Sequence, residues 1–388
     1  MAKEKESKVF LHPFQDRHLN FPQRPCLISD LKFFLMPDGL GIQVRGGESI
    51  VVLRGQLCDS VIPWLLSVLD GSLSVEEIFA KCPADVKPQQ LSRAFVVMFN
   101  RGLFAEAPKA CKINEADAVA RKQLLFFGRK LGVTRVNSSA QEVQEKLASS
   151  QVILVGDGLF GTATFDILLR SGCTGLKCID WSDEGLMSQS VQQSLASVGV
   201  ETLAPPVVSH SADNLLALLE EMLPAADLLV TATTCGSNRL FGEINKLCLR
   251  YLVPWLRGND DGVNAEIGPY VNPYNNACYR CLILRRSSAA EYAIEEELFD
   301  RKLADSGGEL VHHGEYLAGA TVGASILSAE TIRILTRMTK PSAENSVLRV
   351  TVDGGFVRDS FVRVARCPDC YRGQIKTTLE AAATETRA

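Results

Sequence analysis

A chain of 388 residues, 46% hydrophobic and 22% charged, has the composition of a globular protein with two or three domains. Its formal net charge of −4 excludes a strong overall attraction to nucleic acid or to an anionic membrane surface. No apolar run approaches the roughly 20 residues of a membrane span, and the charged start MAKEKESK is not followed by the apolar core of a secretory signal. We therefore expect a cytoplasmic protein whose twelve cysteines are metal ligands or buried thiols rather than disulfides.

The first predicted domain covers residues 31–104, after an N-terminal arm of residues 1–30. Its first half has short β-prone runs separated by turn residues, which predicts a three-stranded meander; the runs are 31–36, 41–45 and 49–53. Helical patterns fill its second half, at 58–69, from the N-cap cluster Ser72–Ser74, and at 87–100. Three strands followed by three short helices predict a small α+β winged-helix domain.

The second predicted domain covers residues 151–372 and follows a linker and two helices in residues 105–150. Apolar strands alternate with helices in this domain, at 152–155, 176–179 and 228–233. Such alternation predicts an α/β fold with a doubly wound, mostly parallel, Rossmann-like sheet. Residues 373–388 are polar and alanine-rich, and we expect them to be a disordered tail.

Four cysteines of the second domain form two Cys-x-x-Cys pairs, made by Cys278 with Cys281 and by Cys367 with Cys370. Two thiolates at this spacing can wrap one tetrahedral zinc ion, with bonds of about 2.3 Å. Two pairs complete a four-sulfur shell with no open position, so the predicted four-cysteine zinc site is structural rather than catalytic. The alternative is two unrelated redox or buried cysteine pairs.

A glycine-rich turn, with Gly156, Gly158 and Gly161 in a Gly-x-Gly-x-x-Gly pattern, lies between a predicted strand and a predicted helix. Backbone amides at such a helix N-terminus bind anions. Asp180, at the end of the next strand, could accept hydrogen bonds from a ribose. These four residues are the candidate nucleotide site. The alternative is a packing turn that only lets the helix and the strand approach closely.

Several stretches of the second domain resemble the ThiF/MoeB adenylating superfamily, the relatives of ubiquitin-activating enzymes. They are VILVGDGLFG, CIDWSD, DLLVTATT, VPWLRGNDDGVNAEIGPYVNPYNNACYRCL and RCPDC. The resemblance covers about residues 150–372. It implies that the glycine turn meets the phosphates of ATP, that Asp180 holds the ribose, that the four cysteines bind zinc and that the protein is a homodimer.

The sequence departs from the active members of that superfamily at the positions that handle ATP. Active members have a second aspartate where this chain has Ser182, then an Asn and an Arg, and an aspartate for Mg²⁺ after the middle strand. Residues 187–193 contain neither Asn nor Arg, and residues 229–235 contain no carboxylate. Because a departing triphosphate must be neutralised by metal ions or basic side chains, we expect little acyl-adenylate formation and no ATP cofactor.

Five further residues have reactive or charged side chains that a function could use. We interpret Cys235 as an ordinary buried thiol rather than a nucleophile, since a nucleophile needs a base or a lowered pKa. His312 and His313 lie in a polar stretch that is typical of a solvated loop. Arg285 and Arg286 are interpreted as part of a solvated face rather than as a partner contact.

The layout of residues 31–104, together with GQLCDSVIPWLLSVLDGSLSVEEIFAKC, resembles the PqqD-like peptide-recognition element of ribosomally synthesised peptide (RiPP) pathways. In that family a leader peptide adds as a strand beside the third strand of the meander and packs against the third helix. The resemblance implies that Val51, Val52 and Leu53 offer the edge and that Arg93 and Val97 line the groove. The alternatives are a winged helix that only packs on its own chain or one that binds DNA. The absence of a concentrated basic helix argues against DNA.

Both regions together, in this order, resemble the ThiF-like leader-peptide-binding partners of YcaO cyclodehydratases, from thiazole/oxazole-modified peptide and bacteriocin biosynthesis. This resemblance implies a scaffold that captures a precursor by its leader and delivers it to a separate YcaO enzyme for azoline formation. The main alternative is an active ATP-dependent adenylating enzyme that modifies a bound peptide, of the pantocin or microcin C type. A sulfur-carrier activating enzyme is a third possibility, which the missing Asp and Arg disfavour.

Overall fold

The computed structural model describes residues 21–47, 50–107, 118–181, 187, 189–190, 192, 207–209, 211–234, 236–273, 275–305, 314–351 and 353–371. The chain divides into two compact units: residues up to 146 with 336–339 form unit 1, and residues 147–335 with those from 340 onward form unit 2. The predicted tail and most of the predicted N-terminal arm lie outside the described residues. The domain limits given above stay predictions.

Unit 1 contains an antiparallel three-stranded sheet in the order β2-β3-β4 and a separate two-stranded sheet of β1 and β5. The strands are β1 Pro25–Leu27, β2 Lys32–Met36, β3 Gly41–Arg45, β4 Val51–Leu53 and β5 Phe104–Glu106. The meander follows the predicted runs, and Val44 lies opposite Val51 in its register. The antiparallel pairing of β1 with β5 was not predicted, since it joins two three-residue strands that are far apart in the sequence.

Unit 1 contains the helices α1 Val61–Val68, α2 Val75–Ala80, α3 Pro88–Asn100 and α4 Ala118–Thr134, followed by α5 Ala140–Ser149, which continues into unit 2. The first three of these helices pack their apolar faces against the meander. A capping box starts α2, because Ser74 Oγ accepts from Glu77 N–H and Glu77 Oε2 accepts from Ser74 N–H. Leu65, Ile78 and Phe95 are fully buried in the shared core. The order of three strands and three helices agrees with the prediction, while assignment to the winged-helix class stays a prediction.

Unit 2 contains an eight-stranded sheet in the order β13-β12-β11-β10-β9-β6-β7-β8. The strands are β6 Val152–Gly156, β7 Leu176–Asp180, β8 Val207–Val208, β9 Leu228–Ala232, β10 Trp255–Asp260, β11 Asn264–Val271, β12 Ser346–Thr351 and β13 Phe356–Ser360. The pairings from β8 to β10 are parallel, which confirms the predicted mostly parallel α/β sheet. The pairings from β10 to β13 are antiparallel, and this half of the sheet was not predicted.

Helices connect the parallel strands of unit 2 and cover its core. They are α6 Gly158–Arg170, α7 Ala212–Met222, α8 Asn238–Tyr251, α9 Tyr279–Ala289, α10 Ala293–Asp305 and α11 Leu317–Thr336, whose last residue is counted with unit 1. Every residue of β6 and β9 is buried, as expected for central strands with helices on their faces. Within the described ranges, none of the helices combines the length and apolarity that a membrane crossing requires.

Candidate functional site

The four cysteines of the two Cys-x-x-Cys pairs come together in one buried cluster. Their sulfur atoms all lie within 4.8 Å of one another. Cys278 Sγ lies 3.7 Å from Cys367 Sγ, and Cys281 Sγ lies 3.5 Å from Cys370 Sγ. Tetrahedral zinc with bonds of about 2.3 Å places its sulfur ligands about 3.8 Å apart. The cluster therefore has the dimensions and the ligand set of a site that could hold one metal ion.

A single buried asparagine connects the two cysteine pairs. Asn245, on α8, accepts a hydrogen bond from Tyr279 N–H at 3.1 Å through Oδ1 and donates one to Asp369 Oδ2 at 3.0 Å through Nδ2. Tyr279 follows the first cysteine of one pair, and Asp369 lies between the cysteines of the other. Asn245 therefore joins the backbone of one pair to a side chain of the other, across segments 89 positions apart.

The hydrogen bonds within the cluster act differently on its four thiols, because they raise the pKa of Cys278 and Cys370 while two other pKa values fall. The hydrogen bond with Cys278 lowers the pKa of the Cys367 thiol to about 6 and lowers the pKa of the Cys281 thiol as well. Val364 N–H donates a further hydrogen bond to Cys281 Sγ at 3.4 Å. Thiolate, rather than thiol, is the metal ligand. Cys281 and Cys367 are thus the two cysteines of the cluster whose surroundings favour the thiolate.

The glycine-rich turn joins β6 to α6, as the sequence predicts. A Cβ atom built on Gly161 would lie 3.0 Å from Gly156 Cα, and one built on Gly156 would lie 3.1 Å from Gly161 Cα. Real Cβ atoms rarely approach other heavy atoms this closely. Gly156 and Gly161 therefore allow the helix to pack tightly on the strand, which is the packing role that the sequence left open as an alternative.

The remaining glycine of the turn lies against a carboxylate from a distant part of the chain. Glu315, two residues before α11, accepts a hydrogen bond from Leu159 N–H at 2.5 Å through Oε2. A Cβ atom built on Gly158, whose φ is +52°, would overlap the Glu315 carboxylate. The first turn of a helix favours a negative charge because its amides are free and its dipole is positive there. The glycine turn thus binds an anion, and that anion belongs to the chain itself.

Other carboxyl groups lie close to the same turn. Burial raises the pKa of Asp157 to about 8, and the charges of Glu315 and Asp180 add to the shift, although a hydrogen bond from Thr234 N–H opposes it. That bond is 2.7 Å long and ends on Asp157 Oδ1. A triphosphate would bring further negative charge to these carboxyl groups and would compete with Glu315 for the same helix end. With Glu315 in this position, the turn does not fit a phosphate group.

The sheet brings Asp180 to the same edge as the glycine turn. Asp180 ends β7, is fully buried, and lies in register with Gly156 on the adjacent parallel strand. Of the positions that depart from the active superfamily pattern, Ser182 lies outside the described residues. Thr233 and Thr234 follow β9 and are both buried. Hydroxyl groups rather than carboxylates therefore follow this strand at the edge where the glycine turn lies.

The predicted peptide-binding residues all lie in unit 1. Val51 is half-buried, Val52 is 37% exposed and Leu53 is buried, in the alternation expected of a strand. Arg93 and Val97 lie one helical turn apart on α3, exposed and half-buried respectively. Val51 and Val97 pack against the core that contains Leu53. Within the described part of the chain, β4 pairs with β3 alone, so its other edge is open.

The interpretation of Arg286 as part of a solvated face is wrong. Arg286 is half-buried and binds both carboxylate oxygens of Glu266, at 2.9 and 3.1 Å, while the buried Arg257 binds one of them at 3.0 Å. Although burial opposes it, these two guanidinium groups lower the pKa of Glu266 to about 2. Arg285 is exposed, as predicted. The remaining three residues of that group lie outside the described residues: Cys235, His312 and His313.

Two residues of these sites were not predicted from the sequence. Asn245 lies on the apolar face of α8, beside the buried Phe241 and Ile244, and a lone amide on such a face is a signal that could have been noticed. Glu315 follows two histidines in a polar stretch and gives no such signal. Its role becomes visible only when the fold places it against Leu159 N–H.

No protein-family model matches the chain, and no curated protein matches it. Solved structures do match. E. coli MccB with ATP has a TM-score of 0.62 and 17% identity, with 89% of this chain and 99% of that chain covered. The microcin C7 biosynthetic enzyme MccB in complex with N-formylated MccA has a TM-score of 0.64 and 19% identity, with the same coverage.

A heterocyclase in complex with substrate and cofactor also matches, with a TM-score of 0.55 and 14% identity. The match covers 90% of this chain but only 40% of the heterocyclase. At these low identities the comparisons establish the fold alone. Nearly the whole of this chain thus has the fold of MccB, and the same fold accounts for part of a larger heterocyclase.

Proposed function

We propose that this chain binds the leader of a ribosomally synthesised precursor peptide along the open edge of β4, in a pathway that modifies the peptide. The observation that carries the proposal is the edge itself: β4 has β3 on one side and, among the described residues, no strand on the other. An added strand would gain main-chain hydrogen bonds there, with Val52 exposed beside it for selectivity. The shared fold with MccB, which is solved with MccA, supports a peptide ligand.

In the first candidate role, the chain delivers the bound precursor to a separate YcaO cyclodehydratase and catalyses no step itself. Two features support this role. Glu315 lies in the glycine turn where a phosphate would bind, and threonines replace the carboxylate expected after β9. The heterocyclase comparison supports it too, since the fold of this chain corresponds to a part of that larger protein. Tethering the precursor would raise its effective concentration at the enzyme.

In the second candidate role, the chain is an ATP-dependent adenylating enzyme that acts on the peptide it binds. The comparisons favour this role over the first, because MccB is a biosynthetic enzyme, matches 89% of this chain, and is solved with ATP. The role requires Glu315 to leave the turn and requires basic or metal-binding groups beside the departing phosphates.

We further propose that the metal held by the four cysteines is zinc and that its role is structural. Four thiolates leave no position for water or substrate on a tetrahedral ion. The ion would join the segment at the start of α9 to the segment after β13. Asn245 joins the same two segments by its hydrogen bonds. The homodimer and the cytoplasmic location implied earlier stay predictions.

ATP–pyrophosphate exchange separates the two roles. The full chain would be assayed with Mg²⁺, zinc and candidate precursor peptides translated from short reading frames beside its gene. The delivery role predicts no exchange above the protein-free rate with any peptide. Exchange that depends on one peptide would exclude delivery as the sole function and support adenylation.

Leader binding itself is tested by titrating fluorescently labelled leader segments of the same peptides into the full chain. We expect saturable binding of one leader that an unlabelled copy displaces. If none of the neighbouring peptides binds, the peptide-recognition role is wrong, whichever result the exchange assay gives.

A further inference from the structure

The glycine turn and the segment that contains Glu315 meet although they are 156 positions apart in the sequence. Two observations describe this contact. Leu159 N–H donates to Glu315 Oε2, and the space over Gly158 that a side chain would fill is taken by the Glu315 carboxylate. The carboxylate therefore lies directly on the first turn of α6, in contact with its backbone.

The backbone on either side of Glu315 lies close to other parts of unit 2. A Cβ atom on Gly262, in the turn between β10 and β11, would lie 3.0 Å from the carbonyl oxygen of Gly314. On the other side, α11 begins at Leu317 and buries Ala320. The segment from Gly314 to Leu317 thus runs over the carboxyl-end edge of the sheet and directs the glutamate side chain at the turn.

A carboxylate and a phosphate interact with a helix N-terminus in the same way. Both are oxyanions that accept hydrogen bonds from free amides and are stabilised by the positive end of the helix dipole. Leu159 N–H carries a single hydrogen, so it serves one acceptor well. Two oxyanions at this turn would also repel each other, and the charge of the neighbouring Asp180 adds to that repulsion.

We propose that the Glu315 carboxylate is the resident anion of the glycine turn and that it excludes phosphate for as long as it lies there. The turn has kept the backbone of an oxyanion site, but the chain supplies the oxyanion. This applies to both candidate roles. In a delivery protein it keeps the turn closed permanently, and in an adenylating enzyme it must be displaced before ATP binds. Leader binding by β4 is not required for it.

The test compares anion binding by the full-length wild type, Glu315→Ala and Glu315→Gln. Isothermal titration with inorganic pyrophosphate, and separately with ATP and Mg²⁺, supplies the affinities. If the carboxylate occupies the turn more than about 90% of the time, its removal should tighten binding about ten-fold or more. Glu315→Gln keeps the size of the side chain and loses the charge, so we expect an increase in the same direction. Glu243→Gln, an exposed glutamate on α8, is the matched control and should bind as the wild type does.

Hydrogen exchange at Leu159 N–H gives a second readout that does not depend on affinity. Glu315→Ala removes its acceptor, so exchange should be faster than in the wild type, and pyrophosphate should slow it again. Equal affinities in wild type and both Glu315 variants, with unchanged exchange at Leu159, would overturn the proposal. A failure of leader titration would leave these measurements unaffected, so the two proposals fail separately.

Discussion

Two places in this molecule could bind an external ligand: the edge of β4 and the glycine turn. They differ in whether another part of the chain already occupies them. The free edge of β4 has no described neighbour. At the turn, Leu159 N–H is already bonded to Glu315 and the space over Gly158 is filled. A shared fold supplies both places. Which of them binds an external ligand depends on the few side chains that leave it open or close it.

The cysteine cluster bears on one side of that comparison, because the glycine turn lies in unit 2 with the four cysteines and can be tested only when that unit is folded. Cys278→Ser removes one of four thiolates, and we expect loss of bound metal together with most of a binding free energy on the order of 10 kcal/mol. Metal content per chain and thermal unfolding measure the effect. Cys248→Ser, an equally buried cysteine on α8 outside the cluster, should keep the metal. Stoichiometric metal in Cys278→Ser would show that the four cysteines are not one site.

The buried Asp157 at the closed turn should make the protein less stable at neutral pH than in acid. The pKa of Asp157 is raised to about 8 in the folded protein by burial, above its ordinary value of 3.8. An acid with a raised folded pKa contributes full stability below its unfolded pKa, and that stability is lost as the pH rises towards the folded pKa. We expect Asp157→Asn to abolish a fall in stability between pH 4 and pH 8 of about 5 kcal/mol.

Denaturant unfolding at several pH values checks this prediction. Asn can still accept the hydrogen bond from Thr234 N–H, so the fold around the turn should be kept. Asp166→Asn, at an exposed ion pair on the same helix, should leave the slope of stability against pH unchanged. If Asp157→Asn shows the same fall as the wild type, Asp157 is ionised in the folded protein and the turn is less crowded by charge than the structure indicates.

The link between the cysteine pairs should have a smaller effect. Asn245→Ala leaves Tyr279 N–H and Asp369 Oδ2 without their buried partner, which should cost about 3 kcal/mol of unfolding free energy. Metal affinity should fall as well, because the two pairs lose their common support. Lys246→Ala, at the adjacent exposed position of α8, controls for the helix. Unchanged metal affinity in Asn245→Ala would mean that the ion alone holds the two pairs together.

At the edge of β4, a proline substitution should weaken leader binding rather than disrupt the core. Val52→Pro removes a backbone donor and bends the edge that would pair with a leader, so affinity should fall about ten-fold or more, the equivalent of one strand hydrogen bond. Leu35→Pro makes the same change on β2, the opposite edge of the same sheet, where the side chain is 72% exposed. Equal losses in both variants would reflect damage to the sheet and would not support β4 as the docking strand.

The parts of the molecule that the sequence predicts well depend on local rules. The helix start at the N-cap cluster Ser72–Ser74 and the spacing within each cysteine pair depend on residues close together in the sequence, and Ser74 is the N-cap as expected. The pairing of β1 with β5 and the contact between Glu315 and Leu159 depend on distant segments meeting, and no periodicity encodes that. Arg286 was misinterpreted for the same reason, since its partner Glu266 lies on another element. The sequence therefore predicts the fold and the metal ligands, but not the occupant of the glycine turn.

Hydrogen exchange at the β4 amides in the presence of a precursor peptide tests the central claim most directly. The full chain would be measured alone and with a saturating concentration of the peptide that binds in the titration. Strand addition predicts slower exchange in Val51–Leu53 and no comparable change on β2. Saturating peptide that leaves exchange on β4 unchanged would contradict the claim that this edge is where the molecule takes its ligand.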